Sequence, residues 1–151
     1  MLSNRDISIW AIIICVSFFL LTVTNLNAAD TTSQIITHVD EILKENPLKA
    51  GEKVQTINIA QDDTIGLFVV RAMEGFAIKP HFHKTHDETV YVVKGRGQML
   101  INDKWVDIIP GSIHFNPMGK VHSLKNASNE PLVLISIFSP AMKEPDRVFV
   151  E

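Results

Sequence analysis

From Lys53 onward the chain is a succession of short apolar runs, cut at close intervals by Gly, Pro, Asn and Asp. VQTINIA, IGLFVVRAM, TVYVVKG, QMLIN, KWVDII, SIHFN, VHSLKN and LVLISIF alternate with period two or are continuously apolar. At these lengths both patterns read as strands. Many short strands without long helices between them predict an all-β sandwich or barrel. No internal repeat and no low-complexity linker interrupts the series, so it reads as one domain over residues 51–151. Gly95-Arg96-Gly97 and Asn102-Asp103 are expected to be hairpin turns.

The segment before it is of two kinds. Residues 33–43, SQIITHVDEIL, place Ile35, Ile36, Val39, Ile42 and Leu43 at helical spacing, with Thr32 or Ser33 as cap and Pro47 beyond the end. This predicts one short amphipathic helix within residues 30–50, carrying His38 as an exposed residue. Residues 1–29 have an arginine near the start, an uncharged and largely apolar run from Ile7 to Val23, and Ala28-Ala29 at the end. That order is read as a secretory signal peptide cleaved after Ala29. An uncleaved single-span anchor is the alternative, because the apolar run is long for a signal core. Either reading exports the rest of the chain, to a periplasmic or secreted address, with no membrane partner once cleavage has occurred.

Cys15, the only cysteine, would leave with the signal segment. The exported domain would then hold neither thiol nor disulfide, and any metal site in it must be built from nitrogen and oxygen. The net charge of −3 and the lack of a polybasic run speak against a nucleic-acid partner.

KPHFHKTHDETVY, residues 79–91, holds three of the six histidines. On a strand, side chains two apart share a face, so His81 and His83 project together and Phe82 points away. In the next strand Glu88, Val90 and Val92 share a face. If the valines line an interior, Glu88 enters it beside the histidine pair. A later strand, entered through NPMGK, carries His122 and Leu124 on one face. Three imidazoles and a carboxylate converging on an apolar interior are costly to bury without a cation, and they suit a divalent first-row metal.

These residues also carry a family resemblance. GFAIKPHFHKTHDETVYVVKG sets Gly75, His81, His83, Glu88 and Gly95 at the spacing of the first cupin motif. GSIHFNPMGKVHSLKN sets Gly111, Pro117, Gly119, His122 and Asn126 at the spacing of the second, with Ser112 where many relatives have aspartate. Residues 51–140 thus resemble the cupins, type 2, which are single jelly-roll β-barrels. The resemblance implies His81, His83, Glu88 and His122 as ligands of one divalent first-row metal: iron, manganese, nickel, copper or zinc. It also implies a homodimer and a small-molecule ligand or substrate. Cupins include dioxygenases, isomerases, decarboxylases, storage proteins and sugar-sensing domains, so the family does not select an activity. A small metalloenzyme of dioxygenase, isomerase or lyase type is one reading; a non-catalytic binding module is the other.

The remaining candidates are read by position. His86 and Asp87 fall in the loop between the ligand strands, and His86 is the one candidate for a catalytic base. Val90, Val92, Phe115 and Leu124 are expected to make the pocket apolar. His114 lies between Ile113 and Phe115, which are expected to look inward, so it should look outward. Gly75, Gly95 and Gly119 are expected at turns of positive φ or close backbone approach. Trp105 and Tyr91 are read as packing or interface aromatics, and the tail FSPAMKEPDRVFVE as an extended cover over the barrel or a neighbouring subunit.

Overall fold

The computed structural model describes residues 35–150; the segment expected to direct export, and the helix caps Thr32 and Ser33, lie outside them. Among the described residues, no helix is long and apolar enough to cross a membrane. The chain runs α1 (Val39–Glu45), β1 (Val54–Gln61), β2 (Gly66–Ala72), β3 (His81–His83), β4 (Asp87–Lys94), β5 (Gly97–Ile101), β6 (Lys104–Ile108), β7 (Ile113–Asn116), β8 (His122–Asn126), β9 (Leu132–Ser139) and β10 (Arg147–Phe149). Every run read as a strand is one. The strands form two five-stranded antiparallel sheets, ordered β1-β2-β9-β4-β7 and β10-β3-β8-β5-β6. This is the expected jelly-roll arrangement.

The sheets close on Ala72, Val90, Val92, Met99, Ile108, Leu132 and Leu134, with Val70, Phe76, Ile101 and Leu124 packed against them. On the outer face of the first sheet, Val69 and Val133 bury Ile42 of α1, flanked by Val39, Leu43, Ile57, Ile59 and Val93. Strands β2 and β9 are therefore covered on both faces, which explains their unbroken apolar runs.

Three expectations are corrected. The helix begins at Val39, not Ser33, and His38 at its N-cap makes no side-chain cap bond. Ile35 and Ile36 are 54% and 94% exposed. A helix this short depends on packing rather than propensity, and it exists only where Ile42 has a sheet to lie on.

Gly95-Arg96-Gly97 is not a hairpin: β4 belongs to the first sheet and β5 to the second, so the turn carries the chain between them. Gly95 takes φ +83 there, against the backbone of Pro131 and Leu132. Asn102-Asp103 is the expected hairpin, joining β5 to β6 with φ 48 and 61 at its two residues.

The third correction is the phase of β7. Its register pairs Val90 with His114, Thr89 with Phe115 and Tyr91 with Ile113. Directly paired residues share a face, and Val90 is buried. His114 therefore turns inward and is half-buried, while Ile113 and Phe115 are 72% and 58% exposed.

Candidate metal centre

Strand β3 lies between β10 and β8, and its alternation sends His81 and His83 to one face, both 2% exposed. His122 opens β8 directly opposite His81. The turn before it is fixed to the ligand loop: the Gly119 N–H donates to the His83 carbonyl at 2.8 Å, and the Met118 N–H to Asp87 Oδ1 at 2.7 Å. One ring nitrogen from each of His81, His83 and His122 falls within 4.8 Å of the others, close enough to share one cation.

The other ring nitrogens orient the set. Nδ1 of His81 lies 2.9 Å from the Lys79 carbonyl, that of His83 2.8 Å from Asp146 Oδ1, and that of His122 3.1 Å from the Lys120 carbonyl. A carbonyl or carboxylate oxygen only accepts, so in His81 and His83 Nδ1 is the protonated nitrogen and Nε2 keeps its lone pair, whereas the Asn116 amide nitrogen stands 2.6 Å from Nδ1 of His122. The Asn116 amide nitrogen lies 3.0 Å from Nε2 of His122. Nε2 of His83 is buried with no hydrogen-bond partner. An unpaired acceptor in that position is costly, and a cation would satisfy it.

Glu88 comes from β4 in the opposite sheet, with Oε2 3.2 Å from His122 Nε2 and 3.9 Å from His83 Nε2. It thus stands beside two of the three histidines. Burial works to raise its pKa, but hydrogen bonds from His122 and Ser136 outweigh it. The carboxyl stays below its ordinary range and is ionised. Burial pushes His81 down to about 4, against the pull of the Lys79 carbonyl. It is thus held neutral, the state a metal ligand requires.

Asp146 was not singled out from the sequence. Its Oδ1 accepts a hydrogen bond from His83 Nδ1–H, and its Oδ2 accepts from the N–H groups of Lys84 and Thr85, each at 2.8 Å, and the Thr85 hydroxyl at 2.7 Å. These bonds hold its pKa far below the ordinary range although burial opposes them.

His86 is a loop residue as expected, but it is 2% exposed and packs behind His83, its Nε2 3.2 Å from Asp146 Oδ1. Burial lowers its pKa. It does not line the cavity. His83, His86 and Asp146 form a second group whose ligand atoms lie within 4.8 Å of one another. Burial also lowers the pKa of the inward-turned His114, whose Nε2 has no partner.

The histidines open onto a cavity of about 340 Å³. Val70, Phe76, Ile78, Val90, Met99 and Leu134 give it apolar walls, and Glu88, Asp146 and Arg147 supply its acidic and basic side chains beside the histidines. Leu124 is in the wall as expected; Phe115 faces solvent instead.

Residues 68–138 match the family model described as Cupin domain. The chain belongs to the cupin superfamily. This cupin is 33% identical to an uncharacterized protein of Aquifex aeolicus, over 77% of its own length and 93% of the relative's. It is 31% identical to a glucose-6-phosphate isomerase of Thermococcus onnurineus, over 66% of its own length but only 59% of the isomerase. Among solved structures, a Klebsiella pneumoniae protein with a double-stranded beta-helix domain superposes with a TM-score of 0.66 at 22% identity, covering 79% of this cupin and 99% of that chain. That last likeness is one of fold.

Proposed function

We propose that the protein is an exported metalloenzyme that transforms a small organic molecule in the barrel cavity. One divalent first-row ion (iron, manganese, nickel, copper or zinc) would be held by His81, His83, His122 and Glu88. The carrying observation is that one ring nitrogen from each of His81, His83 and His122 lies within 4.8 Å of the others beside an ionised carboxylate, with the buried Nε2 of His83 left without a partner. Nitrogen and carboxylate oxygen donors of this kind suit those metals without choosing among them. Such an ion supplies Lewis acidity toward a substrate oxygen or, where it is redox-active, electron transfer.

The chain's own residues do the rest. The Lys79 carbonyl and Asp146 hold protons on the Nδ1 atoms of His81 and His83 and so keep their Nε2 atoms free. Ser136 and His122 fix Glu88 in its ionised form. The apolar walls orient the substrate's body and limit water around the reacting end. Similarity to an isomerase supports the catalytic reading, within the part of that relative the chain spans.

One observation favours the alternative, a metal- or ligand-binding module without turnover. Both carboxylates lining the cavity are already engaged, Glu88 with His122 and Asp146 with His83, and His86 stands outside it. Besides those carboxylates, among the described residues, the wall holds no titratable side chain other than the histidines and Arg147.

We also propose a homodimer, for which the outward Ile113 and Phe115 offer an apolar face. The test of function begins with metal content by mass spectrometry of the exported protein, beside His83→Ala and His122→Ala. About one metal per chain, lost in both variants, supports the centre; absence of metal after anaerobic Fe(II) or Mn(II) loading removes it. Single-turnover and oxygen-consumption assays on the loaded protein then separate enzyme from binder.

A further inference from the structure

Strand β10 brings a residue into the cavity from outside both sequence motifs. Its register sets Arg147 opposite His83 and Phe149 opposite His81. Paired residues on neighbouring strands share a face, so Arg147 is carried to the side where the histidines point. It lines the cavity and remains exposed, which places it at the opening. Among the described residues, it is the one Lys or Arg in that wall.

Neither carboxylate in the wall neutralises it. Asp146 spends both oxygens on His83 and on the Lys84 and Thr85 groups. Glu88 is turned to His122 and Ser136. Among the described residues, Arg147 makes no ion pair and its guanidinium no hydrogen bond. The part of the side chain that lies in the wall is desolvated, which lowers its pKa below the ordinary value, with the charges of Glu88 and Asp146 opposing that shift. An arginine nevertheless stays protonated.

The charges in the wall therefore do not cancel once a divalent ion is bound. Two carboxylates face a dication and a guanidinium, which leaves the cavity with an excess of one positive charge. A guanidinium and a dication lining one cavity repel each other, and an anion bound between them relieves that repulsion.

We propose that Arg147 is an anion anchor and that the molecule bound here is a small organic acid or phosphate ester. Its oxyanion pairs with the guanidinium, and its body lies along the apolar wall toward the histidines. A planar fork of N–H donors matches carboxylate and phosphate alike. The inference rests on the metal-cavity reading above and adds the substrate class.

The test titrates three probes of one shape, phenylacetate, phenyl phosphate and phenylacetamide, by calorimetry into the metal-loaded, exported full chain. Either anion is expected to bind at least about ten-fold tighter than the neutral amide, the scale of one charge-assisted contact. Whichever anion binds better assigns carboxylate or phosphate. In Arg147→Gln the anions should fall to the level of the amide, with metal content and melting temperature unchanged. Equal affinities in the parent protein, no binding of either anion at millimolar concentration, or a preference that survives in Arg147→Gln would overturn the proposal.

Should Arg147→Gln melt early, Arg147→Lys decides, since it keeps the charge and loses the fork. Weakening of the anions alone supports the anchor, and equal weakening of anion and amide refutes it. Metal content measured on the same samples separates the two readings. An Arg147-dependent preference in protein that takes up no metal would remove the metal centre and leave the anchor; metal without the preference would do the reverse.

Discussion

Gly75, Gly95 and Gly97 look alike in sequence, and the structure divides them by the physical burden each carries. Gly75 takes φ +73 with open space where a Cβ would stand. Gly97 has no positive φ, but a Cβ there would meet the Lys125 carbonyl at 2.7 Å and Leu132 Cδ2 at 2.6 Å. Gly95 has both burdens, φ +83 and a Cβ position that meets Leu132 Cα at 2.8 Å, the Pro131 carbonyl carbon at 3.0 Å and the Pro131 oxygen closer still. Those neighbours are backbone and belong to the start of β9, so they cannot swing away as the Leu132 side chain can.

Alanine at Gly75 should therefore cost only the left-handed conformation, about 1–2 kcal/mol. Alanine at Gly97 should cost crowding alone, about 1–3 kcal/mol. Gly95→Ala should cost both, about 2–5 kcal/mol. Urea melts in the presence of chelator, followed by tryptophan fluorescence, remove any contribution from bound metal. With a slope of about 2 kcal/mol per molar urea, Gly75→Ala should lower the midpoint by about 0.5–1 M and Gly95→Ala by about 1–2.5 M. A midpoint for Gly95→Ala equal to that of Gly75→Ala would refute the reasoning, because crowding at Pro131 would then cost nothing.

Asp146→Asn keeps the shape but cannot hold the His83 proton as a carboxylate does, and metal affinity in competition with a chelator should fall by about 10–100-fold; unchanged affinity would make the contact incidental. In the metal-free protein, His81 is pushed down to about 4 from an ordinary 6.5, so the unfolded chain binds its proton first. Its contribution to stability is then complete above about pH 6.5 and is lost as pH falls toward about 4; a urea midpoint that holds or rises over that range contradicts the sign. For the proposed dimer, Phe115→Asp should leave only monomer in light scattering while the urea midpoint, compared at equal subunit concentration, falls only by the loss of association, since the side chain is 58% exposed in the single chain.

The sheets were legible because their strands obey simple patterns. β2 and β9 are apolar on both faces, and β4 alternates cleanly from Glu88 to Val92. The histidine set was legible for the same reason: the His-x-His spacing fixes two side chains on one face of β3 whatever surrounds them. β7 broke the pattern. It spans only Ile113–Asn116, and its two large apolar residues face outward, so a rule that puts apolar residues inside inverted it. What its partner strand fixes, through Val90 opposite His114, no four-residue window contains.

The tail shows why half of the site stayed hidden. An extended cover was expected there, and β10 does lie along β3, but the sequence gives no register for a three-residue strand. One residue of slip would turn Arg147 outward and bring Val148 to the histidines. The register fixed by Arg147 opposite His83 is what presents the guanidinium to the cavity, and Asp146 beside it holds the ligand loop at Lys84 and Thr85. The motifs thus build the end of the cavity suited to a metal, and Arg147, which they do not contain, is brought to the cavity by the tail. Spacing within one strand and its neighbours places the histidines, whereas the register of a short terminal strand places the guanidinium, so a motif reveals the first and not the second.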